Sequence, residues 1–124
     1  MLHLEHGWVR AGRDDVTGFF GTLHNSSGLE ITVRGGRSPA ANAVELHDII
    51  QQHDGRKQMT QLANGITIPA QGSITLAPGG LHGMLIGLDH RLNDGERVQI
   101  ALETNTAHVE LTLTARRRPP TTSL

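Results

Sequence analysis

The run Val98-Gln99-Ile100-Ala101-Leu102-Glu103 and the run Ala107-His108-Val109-Glu110-Leu111-Thr112-Leu113-Thr114-Ala115 alternate apolar and polar residues on either side of the short link Thr104-Asn105-Thr106. Successive side chains of a strand point to opposite faces, so Val98, Ile100 and Leu102 share one face, as do Val109, Leu111 and Leu113. That period is the signature of half-buried strands, and the link is short enough for a closing hairpin. Upstream the same grammar repeats. Short apolar runs at Gly7–Arg10, Gly18–His24, Leu29–Arg34, Ala43–Ile50, Lys57–Leu62, Gly65–Pro69, Ser73–Leu76 and Leu81–Leu88 are separated by Gly, Pro, Asn and Asp clusters. Asn25-Ser26-Ser27-Gly28 and Asn93-Asp94-Gly95 read as turns, His53-Asp54-Gly55 reads as a hairpin tip, and Gly35-Gly36 with Ser38-Pro39 reads as a strand break. About eight or nine strands, with no convincing amphipathic helix, make an all-β sandwich or small Greek-key barrel.

Composition narrows the function classes. The 124 residues suit one domain, and 36% hydrophobic content allows a modest core. A formal charge of −1, with two Phe, one Trp and no Tyr, gives neither the basic bias nor the stacking platforms of a nucleic-acid binder. No apolar run reaches the length of a membrane span, and no leader opens the sequence as given. There are no cysteines, so no disulfide supports the fold and any soft-metal site must use Met and His. The end, 116–124, is polar and Pro-containing and reads as a flexible tail after a domain covering 1–115.

Apart from Met1, two methionines remain, Met59 and Met84, and each has a histidine in reach. In Gly79-Gly80-Leu81-His82-Gly83-Met84-Leu85 the histidine and methionine are i and i+2, so a strand aims imidazole and thioether the same way. Gly80 and Gly83 leave room for curvature and close approach. His47 and Met59 flank the hairpin tip, which sets them opposite or nearly opposite each other. Two imidazoles and two uncharged thioethers form a soft donor set that favours Cu(I) over zinc, magnesium or calcium. Taken singly, each residue has a plainer reading: methionine fills cores and histidine sits at surfaces. A blue-copper redox site needs a Cys thiolate, which is absent. A catalytic zinc site normally offers harder ligands and an open water position, and no Gly-x-Ser-x-Gly nucleophile motif occurs, so the chain does not read as an enzyme.

The chain resembles the periplasmic copper chaperones of the PCu(A)C type. The resemblance runs over about residues 7–115, through Trp8-Val9-Arg10-Ala11, Gly18-Phe19-Phe20-Gly21-Thr22-Leu23, Val44-Glu45-Leu46-His47, Ile68-Pro69-Ala70-Gln71-Gly72 and the long stretch from Leu76 to Leu88. It implies a cupredoxin-like Greek-key β-barrel. By position it also implies a copper motif of His47, Met59, His82 and Met84. It implies a copper chaperone that passes Cu(I) to an acceptor such as cytochrome c oxidase subunit II or another copper chaperone, in CuA assembly. Such proteins work in the periplasm or elsewhere outside the cytoplasm, so a leader is expected to be missing from the sequence as given.

Departures concentrate around Met59. Asp48-Ile49 stands where many members have a Met close after the first His, and the stretch between His47 and Met59 is about one residue longer than the family pattern. His53 is a substitute ligand on the hairpin tip. A copper-free interaction module of the same fold is the alternative these departures leave open. His24, His90 and His108 lack companions at ligand spacing and read as surface residues. His3 would complete a square-planar Cu(II) site only if Met1 were the true amino terminus. The tail lacks His and Met, so no extra copper site is expected there.

Overall fold

The computed structural model describes residues 1–119. The alternation resolves into ten strands: β1 (Leu2–Arg10), β2 (Val16–Asn25), β3 (Ile31–Ser38), β4 (Ala41–Gln51), β5 (Lys57–Gln61), β6 (Ile66–Ile68), β7 (Ser73–Leu76), β8 (His82–Leu88), β9 (Arg97–Thr104) and β10 (His108–Arg116). No helix occurs among the described residues, so none there is long and apolar enough to cross a membrane. The hairpin read from the closing segment forms as expected, with His108 opposite Glu103 and Leu113 opposite Val98.

Seven strands close a barrel in the order β4-β8-β2-β1-β10-β9-β3 and back to β4. Every pair in the ring is antiparallel except β1 and β10, which run parallel. Closure leaves no open edge in the ring itself. The short strands extend three of its members: β4 pairs β5 beyond its pairing with β8, β2 pairs β8 through its first half and β7 through its second, and β3 pairs β6 first and β4 later. With β5, β6 and β7 added, the seven ring strands make ten.

The inward faces interdigitate. Val9, Phe19, Leu23, Val33, Ile68, Leu85, Ile100 and Ala115 are fully buried, and Leu113 joins them, while Val109 and Leu111 pack at the margin.

Three local expectations change. Gly35-Gly36 does not end the third strand; β3 runs through it to Ser38 with a register shift on each side. A Cβ on Gly36 would lie 2.1 Å from the Ala101 carbonyl oxygen, so glycine lets β3 approach β9 while it turns to pair β4. The first strand begins at Leu2, not Gly7, because a bulge between Glu5 and Trp8, with His6 at φ 56°, interrupts the alternation. At the other end Arg116, placed in the tail by sequence, is the last residue of β10 and pairs Arg10. The remainder of the expected tail from 120 onward lies outside the described residues.

Candidate metal centre

β4 and β8 are adjacent and antiparallel, with His47 directly opposite His82 and Glu45 opposite Met84. Their intervening residues, Leu46 and Gly83, are also paired and face the barrel interior, where Leu46 is part of the core. The period of two therefore turns His47, His82, Glu45 and Met84 to the outer face. Gly83 has to be glycine: a Cβ there would lie 2.1 Å from Cζ of the buried Phe19. That close approach fixes β8 against β2 and so fixes the two side chains that flank Gly83.

The row continues across the sheet. Phe20 of β2 tilts against the His82 ring at 6.4 Å, and Trp8 of β1 lies on Phe20 at 4.7 Å. The two imidazoles are 6.0 Å apart between centroids. Although they lie outside the barrel, His82 is 5% and Met84 9% exposed.

Hydrogen bonds assign one free nitrogen to each ring. His82 Nδ1–H donates to the Gly80 carbonyl at 2.6 Å, which leaves the Nε2 lone pair uncommitted. His47 Nε2–H donates to Glu45 Oε1 at 2.9 Å, and its buried Nδ1 has no partner. A buried acceptor without a partner carries a desolvation penalty of about 1–3 kcal/mol, a cost that a bound cation would remove. A ring nitrogen tied to a carbonyl or carboxylate while the other faces the metal is the usual arrangement of histidine ligands.

The hairpin brings Met59 to the same face, displaced by two residue pairs: Met59 is opposite Ile49, and His47 is opposite Gln61. Met59 is 50% exposed. It lines a surface cavity of about 290 Å³ together with His82 and Met84. Thus His47 and His82 are neighbours across the β4–β8 pair and Met84 follows His82 on the same face, while the cavity is lined by His82, Met84 and the exposed Met59 and not by His47. His53 is in the turn beyond Gln51, and the four-residue rise from His47 to Gln51 alone spans about 13 Å. It is remote from the imidazole pair. Among the described residues no group of three or more His, Cys, Asp or Glu is placed to hold a metal ion, so ligands beyond the two imidazoles would be thioethers or solvent.

Sequence reasoning missed Glu45 and Phe20. Glu45 was legible as the i−2 neighbour of His47 on its face; Phe20 became visible only through the β2–β8 register. It also treated His24 as solitary. His24 is the cross-strand partner of His3, their rings stack at 5.3 Å, and both Nε2 atoms contact the Glu5 carboxylate, at 3.3 Å from His3 and 3.1 Å from His24. Those imidazoles hold the carboxyl of Glu5 below its ordinary range, the His3 hydrogen bond contributing most.

Comparison with known proteins adds a family. The model of putative lipoproteins of the LpqE-like kind matches residues 2–116. A putative lipoprotein, Lxx21020, of Leifsonia xyli subsp. xyli (strain CTCB07) is 33% identical over 101 residues, or 82% of this chain. The chain spans only 60% of that protein's length. Among solved structures, the Cu(I) form of DR1885 from Deinococcus radiodurans is 28% identical, with a TM-score of 0.68 over 92% of this chain and 78% of that one. The copper-bound PCuAC domain from PmoF2 superposes with a TM-score of 0.75 at 19% identity, over 94% of this chain and 93% of that one, a likeness of fold alone. The cupredoxin-like, PCu(A)C-type fold implied by sequence resemblance is the fold observed.

Proposed function

Because the chain belongs to the LpqE-like family of putative lipoproteins, we propose that it is a copper chaperone that carries one Cu(I) outside the cytoplasm and hands it to an acceptor protein. The observation that supports this most directly is the His47–His82 pair. Each ring has one nitrogen engaged by a hydrogen bond and one lone pair left over, with the Met84 thioether on the next position of the same strand face.

The donor chemistry fits the cargo. Thioether sulfur is soft and neutral and prefers Cu(I), and imidazole accepts the same ion. With His47, His82, Met84 and Met59 as ligands the complex carries only the charge of the ion, which a partly exposed site tolerates. Exposure also grades the ligands. Met59 is half exposed and the side chain of His47 is 14% exposed, against 5% for His82. Met59 is therefore the ligand an incoming acceptor would replace first, and His82 the one released last. We take the acceptor to be cytochrome c oxidase subunit II or another copper chaperone, and the step to be CuA assembly. The chain binds and releases its cargo and performs no bond-making chemistry of its own.

Titration with Cu(I) under reducing conditions is the test. One equivalent should bind, X-ray absorption should detect sulfur and nitrogen scatterers together, and His82→Ala combined with Met84→Ala should abolish retention. A wild-type chain that retains no copper would be the copper-free interaction module instead.

A further inference from the structure

We infer that the wall of the metal cavity bearing Arg10 and Arg13 is a docking surface for an acceptor whose own metal-binding residues are ringed by carboxylates, an inference that rests on the copper-carrying reading. Both arginines line the cavity that also contains Met59, His82 and Met84. No aspartate or glutamate lines it among the described residues. Nor, among those residues, does a carboxylate lie within ion-pair distance of either guanidinium; the arginines that are paired are Arg56 with Asp54 and Arg91 with Asp14. Glu45 of β4 is engaged by His47, and Asp14, which follows Arg13 in sequence, is engaged by Arg91.

Arg10 is positioned for this role. Its guanidinium carbon lies 5.7 Å from the Trp8 ring and 5.6 Å from the Phe20 ring, and Phe20 in turn touches His82. Two aromatic faces hold the cation, so little side-chain freedom is lost when a partner arrives. The whole chain carries a formal charge of −1, so this positive wall is a local feature and not a reflection of overall charge. With Cu(I) seated, two guanidiniums and the ion present like charge at one opening. An approaching basic face is repelled there, and an acidic one is steered in. The same field favours release, because copper moves from a positive surround to a negative one.

Trp8 is the single tryptophan of the chain and lies under Arg10, so its emission reports on the wall directly. Metal-free protein is titrated at low salt with a short Asp-rich peptide lacking His, Met and Cys, and separately with its Lys-rich counterpart. The Asp-rich peptide should change Trp8 emission saturably and the Lys-rich one should not. The change should vanish in Arg13→Glu and weaken in Arg10→Gln. No response, or an equal response to both peptides, overturns the inference. The same response to sodium sulfate, or to phosphatidylglycerol vesicles, at matched charge overturns it in favour of a small-anion or membrane site. Cu(I)-loaded protein is then mixed with two Met/His peptides of identical metal-binding core, flanked by Asp or by Lys. Transfer to the Asp-flanked peptide should be about tenfold faster at low salt, and Arg13→Glu should erase the ratio; equal rates in wild type overturn the proposal. If the protein retains no Cu(I), the copper reading fails, while the metal-free titration still decides the surface.

Discussion

Replacing Gly83 by alanine should break the barrel where it carries the candidate ligands. The added Cβ would sit 2.1, 2.2 and 2.4 Å from Cζ, Cε1 and Cε2 of Phe19. Ordinary carbon contacts are about 3.5–4.0 Å, so the ring and β8 must separate by about 1.4 Å. Phe19 is fully buried and the interior is close-packed, so the ring has nowhere to go without displacing its neighbours. Overpacking of this kind costs about 1–3 kcal/mol, and three simultaneous contacts place Gly83→Ala at the upper end, about 3 kcal/mol. For a domain of this size that lowers Tm by about 12 °C, at about 4 °C per kcal/mol. Urea denaturation followed by Trp8 emission measures it. Phe19→Leu should partly rescue Gly83→Ala, so that the double variant is more stable than the sum of the two single losses by about 1 kcal/mol. A Gly83→Ala protein within about 0.5 kcal/mol of wild type, or no coupling to position 19, would refute the claim that this contact sets β8.

Other consequences are equally open to measurement. Glu45→Gln weakens the acceptor that orients His47 and should lower Cu(I) affinity about tenfold, read by competition with a chromophoric chelator. Met59→Leu should cost less Cu(I) affinity than Met84→Leu, since Met59 is at the exposed rim; the same competition assay compares them, and the reverse order would place Met59 at the centre of the site. Asn25 is buried, donates to the carbonyls of Leu29, Ile68 and Pro69, and accepts from Ser27, so Asn25→Ala should destabilise by about 3 kcal/mol in urea. His90 bridges Glu96 and Asp89, which raise its pKa above 6.5, with the Glu96 hydrogen bond contributing most. A raised folded pKa stabilises fully below 6.5 and is lost as pH climbs through the folded value. Glu96, lowered from 4.5 first by the Asn93 backbone and then by His90, contributes above 4.5 and loses its contribution as pH falls through its folded value. The urea midpoint gap between wild type and His90→Gln should therefore be widest between pH 4.5 and 6.5 and narrow as pH rises through the folded value of His90.

The chain's local chemistry was legible without coordinates. Alternation in 98–103 and 107–115 comes from the two-residue repeat of the extended backbone, which every strand carries in its own sequence. The same repeat places His82 and Met84 on one face of β8 regardless of what lies beside it. Non-local register was different. That His47 faces His82, that Met59 is opposite Ile49, and that Phe20 backs the His82 ring depend on how β4, β5, β2 and β8 pair. Gly35-Gly36 reads as a break in a single strand and becomes a bulge only where β9 presses against it. A periodic pattern determines which way each side chain points. Which strand it meets is decided by packing all inward faces into one closed barrel, a condition on the whole chain that no single segment contains.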